Sequence, residues 1–395
     1  MTVEVLSFGC RLNLAEGEAI RRAAEGAGDL TVINSCAVTN EAERQARQAI
    51  RRARRARPGA RLLVTGCASE LTPARFAAMP EVDGIVANAA KAAPAAYGLP
   101  LAPRPTRAPV LSGRDHARAF LEIQTGCDHR CTFCVIWQAR GPSQSLPLPA
   151  LIAAGRQALD RGQRELVLTG VDVTSYEGGL APVVRTLLDA LPELPRLRLS
   201  SLDPAEVDDS LLDLLAHEPR VMPHLHLSLQ AGDDLILKRM RRRHSRAQAI
   251  ALVARLKALR PEIAVGADLI AGFPTETEGM FAQTLDLLDA CDVVHPHIFP
   301  FSPRDGTPAA RMPLVPPTLV RERAARLRAH AASRRAAWLH GLAGGTGILL
   351  VERDGVTGHL ENFGPVRLAA PHPPHTLLSV QLIAFDGERL QAVPQ

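Results

Sequence analysis

Aromatic residues are scarce: 2 Trp, 2 Tyr and 10 Phe, 4% of 395 residues. A surface that reads nucleobases by stacking needs aromatic platforms, so extensive stacking is not expected. Lysine is scarcer still, with Lys91, Lys238 and Lys257 the only ones among 46 basic residues. Such an arginine excess reflects compositional drift as readily as selection for phosphate. The net charge of +5 and pI near 9.0 therefore permit a nucleic-acid partner without requiring one. No apolar run reaches membrane-spanning length, so no membrane role is expected. The first residues, Met1-Thr2-Val3-Glu4-Val5-Leu6, enter a strand directly, without the basic segment and apolar core of a secretory signal. A cytoplasmic setting follows as an expectation. There disulfides are rare, and the seven cysteines read as metal or catalytic residues.

What is present is organised around Cys127-Asp128-His129-Arg130-Cys131-Thr132-Phe133-Cys134, a C-x₃-C-x₂-C run. The preceding Phe120–Gln124 alternates like a strand, which puts the cysteines in the loop at its end. Thiolates this close clasp one object. Iron–sulfur clusters are held by cysteine thiolates, and four would complete a cubane. Only three are supplied locally, and an iron without a protein ligand is open to a small molecule. A zinc site is the competing reading, with His129 as fourth ligand. His129 lies between two of the cysteines with one residue to spare on each side, which is poor geometry for a closed tetrahedron.

The length predicts two or three domains, and 46% hydrophobic residues are ample for their cores. Residues 1–92 alternate strands (2–7, 30–34, 61–65, 84–87) with helices (14–25, 41–57, 72–78), the pattern of a parallel sheet in an α/β domain. Asn40 is a candidate N-cap, with Glu43 at the capping-box position. Cys10, Cys36 and Cys67 each follow one of the first three strands. Open α/β sheets place ligands at those carboxyl ends, so cysteines distant in sequence are expected to converge there. Residues 93–115, rich in Pro and Ala, read as a linker. Residues 116–335 hold six strand candidates (120–124, 164–168, 196–200, 224–229, 263–270, 293–299) separated by five helices. This predicts a partial (β/α)₆ barrel with its site at the strand ends. Thr169-Gly170, Ser200-Ser201, Gln230-Ala231-Gly232 and Ala271-Gly272 close those strands, and small residues there let a ligand approach backbone. A basic helix over 319–342 leads to residues 343–395, whose five short strands predict a small all-β barrel.

At these residues the chain resembles the radical S-adenosylmethionine (SAM) enzymes, and over its whole length the methylthiotransferase family among them. Gly9-Cys10-Arg11-Leu12-Asn13, Asn34-Ser35-Cys36-Ala37-Val38-Thr39-Asn40 and Thr65-Gly66-Cys67-Ala68 match the family's N-terminal motifs. Leu229-Gln230-Ala231-Gly232-Asp233 and Ile270-Ala271-Gly272-Phe273-Pro274-Thr275-Glu276-Thr277 match its barrel motifs. The resemblance implies two [4Fe-4S] clusters, one on Cys127, Cys131 and Cys134 and one on Cys10, Cys36 and Cys67. It implies SAM on the first, with Phe133 beside its adenine; Gly170, Ser200, Gln230 and Gly272, at the strand ends, are the further candidate cofactor contacts, with ordinary turn chemistry the equal alternative for each. It implies a C-terminal TRAM domain, a tRNA substrate, an electron donor and a sulfur source. SAM would serve twice: once as methyl donor to sulfur, once as source of a deoxyadenosyl radical that takes hydrogen from C2 of an adenine. That C–H is not acidic enough for an ordinary base.

The stretch Val38–Gln48 most resembles the branch acting on N6-threonylcarbamoyladenosine. Sister branches act on N6-isopentenyladenosine or on a ribosomal-protein aspartate, and a zinc-stabilised RNA-binding protein is the non-enzymatic alternative. Where the family usually has Pro-Tyr, this chain has Trp137-Gln138, next to the SAM wall. Arg140, Arg239 and Arg304 lie near strand-end loops and could meet a substrate carboxylate. The arginines of 44–61 suit phosphate or a solvated face equally. Cys291 reads as core. His295 and His297 read as packing before metal. Asp172 suits either substrate contact or a helix cap.

Overall fold

The computed structural model describes residues 2–100, 109–112 and 116–395. Strands Val3–Ser7, Leu30–Ser35, Arg61–Gly66 and Gly84–Ile85 pair in that order, all parallel. Leu30–Ser35 has a neighbour on each side and is buried at every residue, whereas Val3–Ser7 forms an edge and is mostly half-buried. Helix Asn40–Ala56 turns Ala46, Ile50 and Ala53 to the sheet at helical spacing and leaves Arg51, Arg52 and Arg55 exposed. Its N-cap is Thr39, whose hydroxyl accepts from Ala42 N at 3.1 Å. Asn40 is not the cap, because its amide is engaged across the molecule by Pro303 O at 3.2 Å and by Arg304.

Six parallel strands follow: Arg118–Glu122, Glu165–Thr169, Arg196–Leu199 continued by Ser201–Leu202, His224–Gln230, Ala264–Ala271 and Val293–Pro300. They pair in sequence order and form the expected partial barrel, with the third strand broken at Ser200. Their outward residues, among them Leu225, Leu227, Leu229, Ala267 and Leu269, share one core with helices Leu148–Asp160, Leu180–Ala190, Asp209–His217, Arg246–Leu259 and Glu278–Ala290. Cys291 is fully buried in that core. Within the expected linker, Pro94–Tyr97 is a 3₁₀ turn and Leu111–Ser112 adds an antiparallel strand to the first barrel strand. Residues 101–108 and 113–115 of it lie outside the described residues.

Helix Pro317–Leu342 is unbroken, so the expected domain end at 335 falls inside an element. It leads to a closed five-stranded barrel, Thr346–Val351, Thr357–His359, Pro365–Leu368, Leu377–Phe385 and Leu390–Pro394, built around Leu349, Val366, Val380 and Leu390. This barrel docks near the starts of the large-barrel strands. Arg118 pairs with Glu352 at 3.0 Å, and buried Arg198 holds Glu165 at 2.8 Å and Glu361 O at 3.0 Å. The Phe363 ring stacks on His359, with centroids 4.5 Å apart.

Candidate functional site

Cys10 caps helix Arg11–Ala23, Cys36 directly follows Leu30–Ser35, and Cys67 opens helix Cys67–Leu71. All three therefore stand at carboxyl ends of adjacent parallel strands. Cys36 is within electrostatic reach of Cys10 and of Cys67. The approach depends on Gly9, whose φ is +88° and where a Cβ would lie 2.2 Å from Cys36 Sγ. Cys127, Cys131 and Cys134 gather in the loop after the first barrel strand, and Cys134 also feels Cys67. The two trios thus face each other across the junction of sheet and barrel.

Burial pushes the Cys36 and Cys134 thiols to about 11 and Cys127 to about 12. Thiols held this high are protonated at neutral pH unless a cation takes the proton's place. Cationic donors already point at the sulfurs: Arg140 Nε donates to Cys67 Sγ at 3.2 Å, and Arg242 lies 3.7 Å from Cys131 Sγ. Such donors stabilise thiolate, and so these trios fit metal-bound cysteine.

Arg140 is the hinge of the junction. Its guanidinium meets Glu16 at 2.8 and 2.9 Å and Asn13 Oδ1 at 2.8 Å, and Lys91 Nζ also reaches Glu16, at 2.6 Å. Burial would raise the Glu16 carboxyl, but Arg140 and Lys91 outweigh it and hold it at about 2. Asn13 also donates to Phe8 O and Ser35 O, locking the first two cysteine loops together. Arg140 is therefore consumed by structure. Arg304 is too, tied to Asn40 and, at 3.2 Å, to Glu43. Arg239 differs: it is half-buried, and among the described residues only the Thr275 hydroxyl, at 2.6 Å, meets its guanidinium. Its backbone is joined to the cysteine loop, since the Thr132 hydroxyl donates to Arg239 O at 2.7 Å.

His129 is held by carboxylates. Its Nε2 sits 2.9 Å from Asp172 and 3.4 Å from Glu206, contacts that raise it to about 10 and make it imidazolium at neutral pH. Asp172 thus takes a third role, partnering the cysteine loop. Trp137 donates from Nε1 to Cys134 O at 3.1 Å and lies under Arg130, 3.9 Å from its ring centre, so it braces the loop. Phe133 is half-buried with its ring edge-on to Phe273 at 6.5 Å. Ser200 marks the strand break and donates its N–H to Leu168 O. Gln230 adopts φ 67° after an irregular register at Leu227, strain of the sort that collects at functional sites.

Two of the expected glycines also pack closely on protein. A Cβ at Gly170 would lie 2.7 Å from Gln124 O, and one at Gly272 (φ +72°) would lie 2.6 Å from Val320. The close approach each permits is to protein. Sequence reasoning missed Gln124, whose side chain accepts from Val171 N and Asp172 N and donates to Gly126 O, fixing the ends of two strands. It also missed Glu16, although a carboxylate one turn from Asn13 on an apolar helix face was a usable signal.

Residues 121–288 match the family described as Radical SAM superfamily, and residues 2–87 match Uncharacterized protein family UPF0004. A protein of Rickettsia prowazekii named threonylcarbamoyladenosine tRNA methylthiotransferase MtaB is 43% identical over 92% of this chain and 91% of its own. Its Bacillus subtilis namesake is 34% identical over 79% of this chain and 76% of its own. An Erythrobacter litoralis protein named tRNA-2-methylthio-N(6)-dimethylallyladenosine synthase is 34% identical over 90% of this chain and 87% of its own. Among solved structures, the radical S-adenosylmethionine methyltransferase TsrM of Kitasatospora setae shares the fold alone. Its TM-score is 0.51 at 16% identity, over 73% of this chain and 66% of that one. With facing cysteine trios at strand ends and a relative matching nearly its full length, this chain belongs to the radical-SAM methylthiotransferases, enzymes that work with SAM and two [4Fe-4S] clusters.

Proposed function

We propose that this chain methylthiolates tRNA at C2 of N6-threonylcarbamoyladenosine beside the anticodon. In this reading the sheet of residues 1–92, the barrel of 116–335 and the terminal barrel of 343–395 are its three working parts, and it acts in the cytoplasm. Cys127, Cys131 and Cys134 would hold the SAM cluster, and Cys10, Cys36 and Cys67 the second. Bound there, these groups supply the electron that opens SAM and the sulfur to be methylated and transferred, fed by an electron donor and a sulfur source. Phe133 from the cysteine loop, and Gly170, Ser200, Gln230 and Gly272 from the strand ends, would be this chain's contacts to SAM.

Arg239 carries the choice of substrate. The threonylcarbamoyl group presents a carboxylate and a hydroxyl, whereas the isopentenyl group is apolar. A carboxylate taken from water needs a cationic partner. Arg140 and Arg304 are already paired, which leaves the half-buried Arg239 beside the cysteine loop. The similarity to the Rickettsia protein at 43%, against 34% for the dimethylallyl-type Erythrobacter protein, favours the same branch. Family membership replaces the non-enzymatic zinc reading.

The test compares turnover of tRNA bearing threonylcarbamoyladenosine, isopentenyladenosine or unmodified adenosine. Only the first should react well. Arg239→Gln should cut kcat/KM on it by about thirtyfold, the loss of roughly 2 kcal/mol from a charge-assisted pair, while leaving SAM cleavage without tRNA unchanged. Equal turnover of the isopentenyl tRNA would reject this branch.

A further inference from the structure

Three barrel strands place a second set of ligating side chains away from the cysteines. His226 Nε2 lies 3.1 Å from Asp268 Oδ1, and His297 Nδ1 lies 3.2 Å from the same oxygen. The two imidazole rings are 4.6 Å apart. The side chains come from His224–Gln230, Ala264–Ala271 and Val293–Pro300, and Asp268 pairs in register with His297. Their chain neighbours Leu225, Leu227, Ala267, Leu269 and Ile298 pack outward against the helical core. His226, Asp268 and His297 therefore face into the barrel.

Hydrogen bonds between Asp268 and both imidazoles draw the group together. Gly266 makes room for it, since a Cβ there would lie 2.3 Å from His226 Nδ1. His226 is buried and fixed, whereas His297 keeps about half its side chain exposed, so the group opens toward solvent on one side. Bonds of about 2.0–2.2 Å from one ion to nitrogen and oxygen place neighbouring ligand atoms roughly 3 Å apart when they meet near a right angle. Both measured separations match that spacing. Two histidines and one carboxylate on one side of an ion leave further positions open.

We propose that His226, Asp268 and His297 form a binding site for a first-row divalent cation, separate from both cysteine trios. Its donors are nitrogen, nitrogen and oxygen, which suit zinc or ferrous iron. The open positions face the barrel interior and would take an oxygen donor.

The test uses the anaerobically reconstituted enzyme, dialysed against zinc sulfate and freed of loose metal. Wild type should retain about one zinc per chain more than His297→Gln or Asp268→Asn, with iron and sulfide per chain equal in all three. The zinc X-ray absorption edge should show nitrogen and oxygen neighbours near 2.0–2.1 Å, without the sulfur shell near 2.3 Å that cysteine sites give. Equal zinc in wild type and variants, or a shell of sulfur only, would overturn the site. His226→Gln is the more drastic variant because its ring is buried. If it fails to fold, His297→Gln on the exposed ring still decides the question.

Discussion

Arg140 shows how much one side chain carries here. The guanidinium joins the cysteine loop of the barrel to Glu16, Asn13 and Cys67 of the sheet. Removing one partner of a buried ion pair leaves the other charge uncompensated and costs about 3–5 kcal/mol. Glu16→Leu strands both Arg140 and Lys91 as buried cations and should lower the melting temperature of the cluster-free protein by several degrees, whereas Arg140→Leu, which leaves Glu16 paired with Lys91, should cost less. Glu16 also sets a pH dependence. Its folded pKa is depressed, from 4.5 to about 2, so its stabilisation is complete above about 4.5 and disappears as pH falls to about 2. Unfolding followed from pH 6 down to 2 should steepen through that window in wild type and be flatter in Glu16→Gln. An identical acid limb in the two proteins would remove Glu16 from this role.

At the scale of the element, helix Asn40–Ala56 divides its arginines between two tasks. Arg54 bonds Glu81 O, Ala60 O and Asp83, and the following Arg57 bonds Asp29, Glu4 and Thr31, so these two hold the fold. Arg51, Arg52 and Arg55 are exposed on the same helix and are free to meet phosphate. Neutral substitutions at these three should flatten the salt dependence of tRNA binding by about two in slope, since each phosphate contact releases a counterion. Arg54→Gln should instead lower stability and leave the slope nearly intact. An unchanged slope in the triple variant would make that face a solvated surface. The run of arginine was plain in the sequence. Which of them were spoken for was not, because a partner such as Asp83 lies in a different element.

For the whole molecule, the two trios predict separable chemistry. Cys131→Ala should abolish SAM cleavage while keeping about four iron atoms per reconstituted chain. Cys36→Ala should keep cleavage to deoxyadenosine but lose methylthiolation, and Gly9→Ala should behave similarly, because its Cβ would occupy the place of Cys36 Sγ. Wild-type iron near four per chain, rather than twice that, would defeat the two-cluster arrangement.

The sequence alone determined the sheet, the partial barrel, the terminal barrel and the position of every cysteine relative to its strand. Those follow from local periodicity, and a strand's carboxyl end is a place the chain itself marks. It also made Cys291 a core residue and gave Gly9 a motif. Tertiary structure alone decided how charges were shared. Arg140 and Arg304 looked available to substrate and proved to be consumed by Glu16 and Glu43, while Arg239 stayed half-free. Gly170 and Gly272, expected at a ligand, also make room for Gln124 and Val320. His297, read beside His295 as packing, met His226 and Asp268 from other strands, whereas His295 is buried against Trp338. A long polar side chain can reach any neighbour that folding brings within a few ångströms, and the register of parallel strands, not the order of residues, chooses that neighbour.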